Sequence, residues 1–124
     1  MRAKLRNILT GQVVDVRSTT EHPDSSYGKP VWVDADGTAY FQVDTPNPLY
    51  EVSDVEVSDR YDIGLYLRYL RLGKGVTVRE LADGVGYSPS TVINVEKGKF
   101  SPNTKILMNL LDALDAKMIL KLDE

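Results

Sequence analysis

The segment from Thr77 to Gly98, TVRELADGVGYSPSTVINVEKG, leaves this chain few ways to fold. Thr77 and Glu80 have the T-x-x-E spacing of a capping box. The hydroxyl accepts from the amide three residues on, and the carboxylate reaches back to the threonine amide. A helix therefore starts at Thr77, with Val78, Leu81, Ala82 and Val85 along one face. Gly86 stops it, because a residue without Cβ takes the positive φ of a tight turn without steric cost. Ser88 caps a second helix, and Pro89 fills its first position, where a missing N–H loses no bond. Val92 and Val95 form the inward pair of that helix, and Gly98 ends it. Helices this close in sequence must cross steeply, and Ala82 permits the close approach. The outward face of the second helix stays short and polar: Ser90, Thr91, Asn94 and Lys97. Such a face fits a DNA major groove about 12 Å wide and can hold hydrogen-bonding tips against base edges.

Helical periodicity continues on both sides. Ile63, Tyr66, Leu67 and Leu70 predict an amphipathic helix capped by Ser58 or Asp59 and ended by Gly73. Asn103 or Thr104 opens a further helix carrying Ile106, Leu107, Leu110, Leu111 and Leu114. The tail, Met118 to Leu122, fits a last strand or a helical turn.

The first half has a different period. Gln12 to Arg17 (QVVDVR) reads as a strand, and Ser18 to Lys29 is a loop dense in turn formers. Pro30 to Asp34 and Thr38 to Val43 flank Asp36-Gly37, a hairpin signal because glycine tolerates the turn's positive φ. Tyr50 to Val57 alternates at period two with a slip at Ser53-Asp54, as a bulged strand would. Residues 1–10 read as a short helix or a lead-in strand. The expectation is a small antiparallel β unit of three or four strands over residues 1–58. Trp32, Tyr40 and Phe41 are expected in its core, with Asp34 and Asp36 serving turn geometry.

The chain has no cysteine, which excludes disulfides, thiolate metal sites and a cysteine nucleophile. Its one histidine, His22, sits in a loop beside Glu21 and Asp24 and has no second imidazole to build a metal or acid–base site with. No catalytic residue, metal or cofactor is expected, and the chain reads as a non-enzyme. No apolar run approaches the roughly 18 residues of a membrane span, and the N-terminus lacks the pattern of a secretory signal, so a cytoplasmic location is expected. Net charge is −3, but it is unevenly placed. Residues 1–59 hold 5 basic and 10 acidic side chains, whereas residues 60–105 hold 8 basic and 4 acidic. A cationic C-terminal half fits a polyanion, and an acidic N-terminal half fits a basic partner.

Residues 61–114 resemble the Xre family, the lambda-repressor-like helix-turn-helix domains. The resemblance is carried by Leu67, Leu70 and Arg71, then Leu81, Ala82 and Gly86, then Val92, Val95, Glu96 and Gly98, and finally Pro102, Leu107, Leu111 and Leu114. It implies an all-α helix-turn-helix domain of four to five helices, placed over residues 59–124, and with the small antiparallel β unit before it the chain is expected to be α+β. The third helix of that domain would read the major groove. Carried over position by position, Ser88, Pro89, Ser90, Thr91 and Asn94 are the expected base readers. Asn94 can pair bidentately with adenine. Thr77, Arg79, Lys97, Lys99 and Asn103 are the expected phosphate contacts, and Arg71 and Glu96 the expected structural ion pair. Two positions depart from the family. Val78 stands where a phosphate-gripping glutamine is usual, and Pro89 offers only apolar contact.

The function expected on this basis is sequence-specific binding of double-stranded DNA by a dimeric transcriptional repressor. The alternatives are an antitoxin that also regulates its own promoter, with the β unit holding the toxin, and a protein-interaction module that has lost DNA binding.

Overall fold

A computed structural model of the protein describes residues 1–117. Met118 to Leu122, expected as a strand or helical turn, lie outside the described residues. Strands β1 (Arg2–Asn7), β2 (Val13–Thr19), β3 (Val31–Val33), β4 (Ala39–Gln42) and β5 (Tyr50–Glu56) precede helices α1 (Arg60–Gly73), α2 (Val78–Val85), α3 (Pro89–Glu96) and α4 (Thr104–Ala113).

The strands form one 5-stranded antiparallel sheet in the order β4-β3-β2-β1-β5. Of the two expectations for residues 1–10 the strand holds and the helix does not, though β1 lies inside the sheet between β2 and β5 and does not merely lead into it, and the sheet exceeds the expected three or four strands. Its signal was muted because Arg2, Lys4 and Arg6 occupy one face. Their low strand propensity is offset by cross-strand partners, Lys4 Nζ to Asp15 Oδ1 at 2.9 Å and Arg6 Nε to Glu51 Oε2 at 2.8 Å. On the other face Ala3 and Leu5 are buried with Val16, Trp32 and Val43, and Leu65 of α1 packs against this cluster. The slip read at Ser53-Asp54 is a bulge. Arg2 pairs with Glu56 while Lys4 pairs with Ser53, and Asp54 takes a φ of 51°.

The hairpin between β3 and β4 turns on Asp34. Its carboxylate accepts from the amides of Asp36 at 2.9 Å and Thr38 at 3.0 Å and from the Tyr40 hydroxyl at 3.0 Å. These donors, the Thr38 amide foremost, hold the Asp34 carboxyl below its ordinary pKa.

Each helix begins on its own cap. Asp59 accepts from the amide of Asp62, Thr77 from Glu80, Ser88 from Thr91 and Asn103 from Ile106. Helix α1 runs through Gly73, and the left-handed residue after it is Gly75. Leu67, Leu81, Ala82, Val92, Val95, Leu110, Leu111 and Leu114 form the helical core. Helix α1 serves both cores, since Leu67 faces the other helices while Leu65 faces the sheet.

Candidate nucleic-acid interface

Helices α2 and α3 are joined across Gly86, whose φ of 78° turns the chain and whose amide closes α2 on the Ala82 carbonyl. Ala82 is fully buried, so nothing larger than a methyl separates α2 from its neighbours. Val92 and Val95 bury the inner face of α3. Its outer face presents Ser90, Ile93 and Lys97 to solvent, with Pro89, Thr91 and Asn94 half-buried at the margins. Ser88 is exposed at the cap, and its hydroxyl lies 3.0 Å from that of Thr91. Those two hydroxyls therefore spend part of their bonding capacity on each other. The Asn94 carbonyl accepts from the Lys99 amide at 3.0 Å. Its side-chain amide has no hydrogen bond to the described residues, leaving a donor and an acceptor side by side.

The outer face is anchored from behind. Arg71 donates to both oxygens of Glu96, Nε to Oε2 at 2.8 Å and Nη2 to Oε1 at 3.0 Å, and its Nη1 donates to the Val76 carbonyl at 2.9 Å. Both side chains are at most 6% exposed, and the forked geometry satisfies each charge where water cannot. Helix α1 also lies directly on the end of α3: a Cβ placed on Gly64 would sit 2.3 Å from the Val95 carbonyl oxygen.

The cationic candidates are spread around this face. Arg79, Lys97 and Lys99 are exposed, and none has an ion-pair partner among the described residues. Asn103 caps α4 through its side chain, which leaves neighbouring amides at that helix start free for an anion. Thr77 is differently placed, because its amide already donates to Glu80 Oε1 at 3.3 Å. A phosphate at the start of α2 has to displace that carboxylate. Val78 is half-buried and packs against the helical core.

Sequence patterns missed several residues here. Ile93 is 38% exposed on the outer face of α3, an apolar tip among polar ones. Tyr61 packs on Gly98, and the Arg60 guanidinium lies 5.2 Å over the Tyr61 ring, placing a cation near Lys97 and Lys99. An isolated glycine within the α1 pattern was the one available sign of Gly64. His22 is remote in kind: its Nδ1 accepts from the Asp24 amide at 3.0 Å within its own loop. No group of at least 3 potential metal-binding side chains occurs among the described residues. No helix among them is long and apolar enough to cross a membrane.

Residues 67–119 match the helix-turn-helix family. The C-terminal half of the chain is therefore an Xre-like helix-turn-helix domain. Its helix-turn-helix domain is similar to the clp gene regulator ClgR from C. glutamicum, with 35% identity over 50% of this chain and 80% of that one and a TM-score of 0.47. It is also similar to a HipB variant in complex with an O2 20mer, at 21% identity over 58% of this chain and 100% of that one, TM-score 0.53. The HipB structure with HipA and O2–O3 matches at 20% identity, 56% and 99% coverage and TM-score 0.51. At those identities the HipB likeness concerns the fold alone. No curated protein sequence matches the chain.

Proposed function

We propose that the chain is a sequence-specific double-stranded DNA-binding regulator, a repressor acting as a dimer, in which residues 59–124 bind DNA and residues 1–58 serve assembly or partner binding. The observation that carries this reading is the outer face of α3. Among the described residues, Asn94 offers an uncommitted amide beside Ser90 and Ile93, while Lys97 and Lys99 at the helix end have no ion-pair partner. Asn94 would read adenine, and Ser88, Pro89, Ser90 and Thr91 would line the same groove. Arg79, Lys97, Lys99 and the start of α4 at Asn103 would hold phosphates, with Thr77 joining only after Glu80 moves aside. Arg71 and Glu96 would set the height of α3 against the bundle. A single copy offers few cations, so paired half-sites and a dimer supply the affinity.

The test is a fluorescence-anisotropy titration of the full chain against the DNA upstream of its own reading frame, at two salt concentrations, beside Asn94→Ala. Binding that falls steeply with salt and weakens for Asn94→Ala is the expected result. Absence of binding to that DNA and to a random-sequence pool at low salt would refute it.

An antitoxin reading has one observation in its favour. Exposed Ile8, Leu9, Val13 and Leu49 gather at the β1–β2 turn, where the Ile8 amide donates to the Leu49 carbonyl, on an acidic half of the chain. HipB, which shares the fold of the helical half, was solved in a complex with HipA and O2–O3. Co-purification of a small basic protein that is lost on Leu9→Ser would support this reading over a repressor without a protein partner.

A further inference from the structure

Asp44 follows β4 and is 6% exposed. Its Oδ2 accepts from Arg68 Nε at 3.1 Å, across from the β unit to α1. The same guanidinium places Nη1 3.8 Å from Glu96 Oε1, the oxygen that also accepts from Arg71 Nη2. Arg68 therefore stands between two buried carboxylates, one belonging to the sheet and one ending the recognition helix. The Asp44 side chain is 9% exposed and that of Glu96 5%, while Arg68 is 42% exposed and can move if a partner is lost.

The physical consequence follows from that imbalance. A buried carboxylate needs a charged or hydrogen-bonded partner, so Asp44 holds Arg68 where it is. Without the Asp44 charge, Arg68 either swings to solvent or moves onto Glu96 Oε1 and competes with Arg71. Both displacements change how the C-terminal end of α3 is held, next to Asn94, Lys97 and Lys99. Leu65, which packs against the sheet core, keeps the β unit seated on α1 while the charges rearrange.

We infer that Asp44 is a positioning residue for the recognition helix, acting through Arg68 and Glu96, so that the state of the β unit sets DNA affinity. This rests on the DNA-binding reading above. Occupation of the β unit near Asp44 by a partner would then tune binding without touching DNA, since both states of the network bias one element.

The experiment compares full-length wild type, Asp44→Asn, Asp44→Glu, Arg68→Gln and the Asp44→Asn/Arg68→Gln double variant. It measures anisotropy against the upstream DNA over a salt series, and amide exchange of residues 92–99 in the free protein. Asp44→Asn is expected to weaken binding about 3- to 10-fold with an unchanged salt slope and to speed exchange at Val95 to Lys99. Asp44→Glu should restore most of the loss, and the double variant should be no worse than either single one. Unchanged affinity and unchanged α3 amides would overturn the inference even if thermal stability falls, as would single effects that simply add. Should wild type bind no DNA, the functional reading fails by itself, and the α3 amides still decide whether Asp44 reaches the helix.

Discussion

Gly64 of α1 lies so close to the end of α3 that an added Cβ would meet the Val95 carbonyl oxygen at 2.3 Å and that of Glu96 at 2.6 Å. Both obstacles are backbone, which cannot rotate away as a side-chain tip can. Helix propensity alone would make Gly64→Ala stabilising by about 1 kcal/mol. Overpacking against an unyielding neighbour typically costs about 1–3 kcal/mol and here comes on top of a displaced α3. Gly64→Ala is therefore expected to lower the melting temperature and weaken DNA binding. Gly84 in α2 is the control: it has negative φ and open space, so Gly84→Ala should raise stability by about 0.5–1 kcal/mol. Chemical denaturation of both variants checks the opposite signs.

The Arg71–Glu96 pair should behave as a buried unit. Removing Glu96 leaves Arg71 buried without a counterion, and removing Arg71 leaves Glu96 only the longer Arg68 contact at 3.8 Å, at a cost of about 3–5 kcal/mol. Arg71→Ala and Glu96→Ala should each destabilise severely, whereas Arg71→Met/Glu96→Leu together should lose much less. Urea unfolding of the three variants checks this, and an additive double variant would refute it.

Glu80 occupies the Thr77 amide that a phosphate would need. Glu80→Gln preserves the cap's hydrogen-bonding geometry and removes a negative charge from the start of α2, the proposed phosphate contact. Its expected effect is DNA binding tighter by a few-fold with the fold intact, read by anisotropy. Lys97→Ala and Lys99→Ala should each reduce the salt slope by about 1 if each meets a phosphate.

Asp34 gives the β unit a pH dependence of known sign. Its carboxyl is held below the unfolded value of 3.8, so its stabilising contribution is fully present above about pH 4 and is lost as pH falls through the lowered value. Between about pH 6 and pH 3 wild type should therefore lose more stability than Asp34→Asn. Thermal melts at the two pH values measure the difference.

Trp32, the single tryptophan, is 1% exposed in the sheet core. Its fluorescence reports the β unit, while helical ellipticity reports the rest. Leu65 and the Arg68–Asp44 pair join α1 to the sheet, so both signals should change together in urea. Separate midpoints would show that the contact is too weak to couple them.

What the sequence determined by itself is local. The capping box of Thr77 and Glu80, the Ser88-Pro89 start, the turn at Gly86, the Asp36-Gly37 hairpin and the bulge near Asp54 each depend on residues a few positions apart. Their backbone preferences and caps are therefore written in the chain. The apolar faces of the helices were legible for the same reason, since periodicity needs no knowledge of the partner. Tertiary structure alone decided that β1 sits inside the sheet, because pairing joins Lys4 to Asp15 and Arg6 to Glu51, and strand propensity is blind to such distant partners. It decided that Gly64 is a point of helix contact, that Arg68 bridges Asp44 and Glu96, and that Ile93 lies on the outer face of α3. In each case the deciding quantity is a distance between segments, or an exposure set by how they pack, and neither exists until the two cores close on opposite sides of α1.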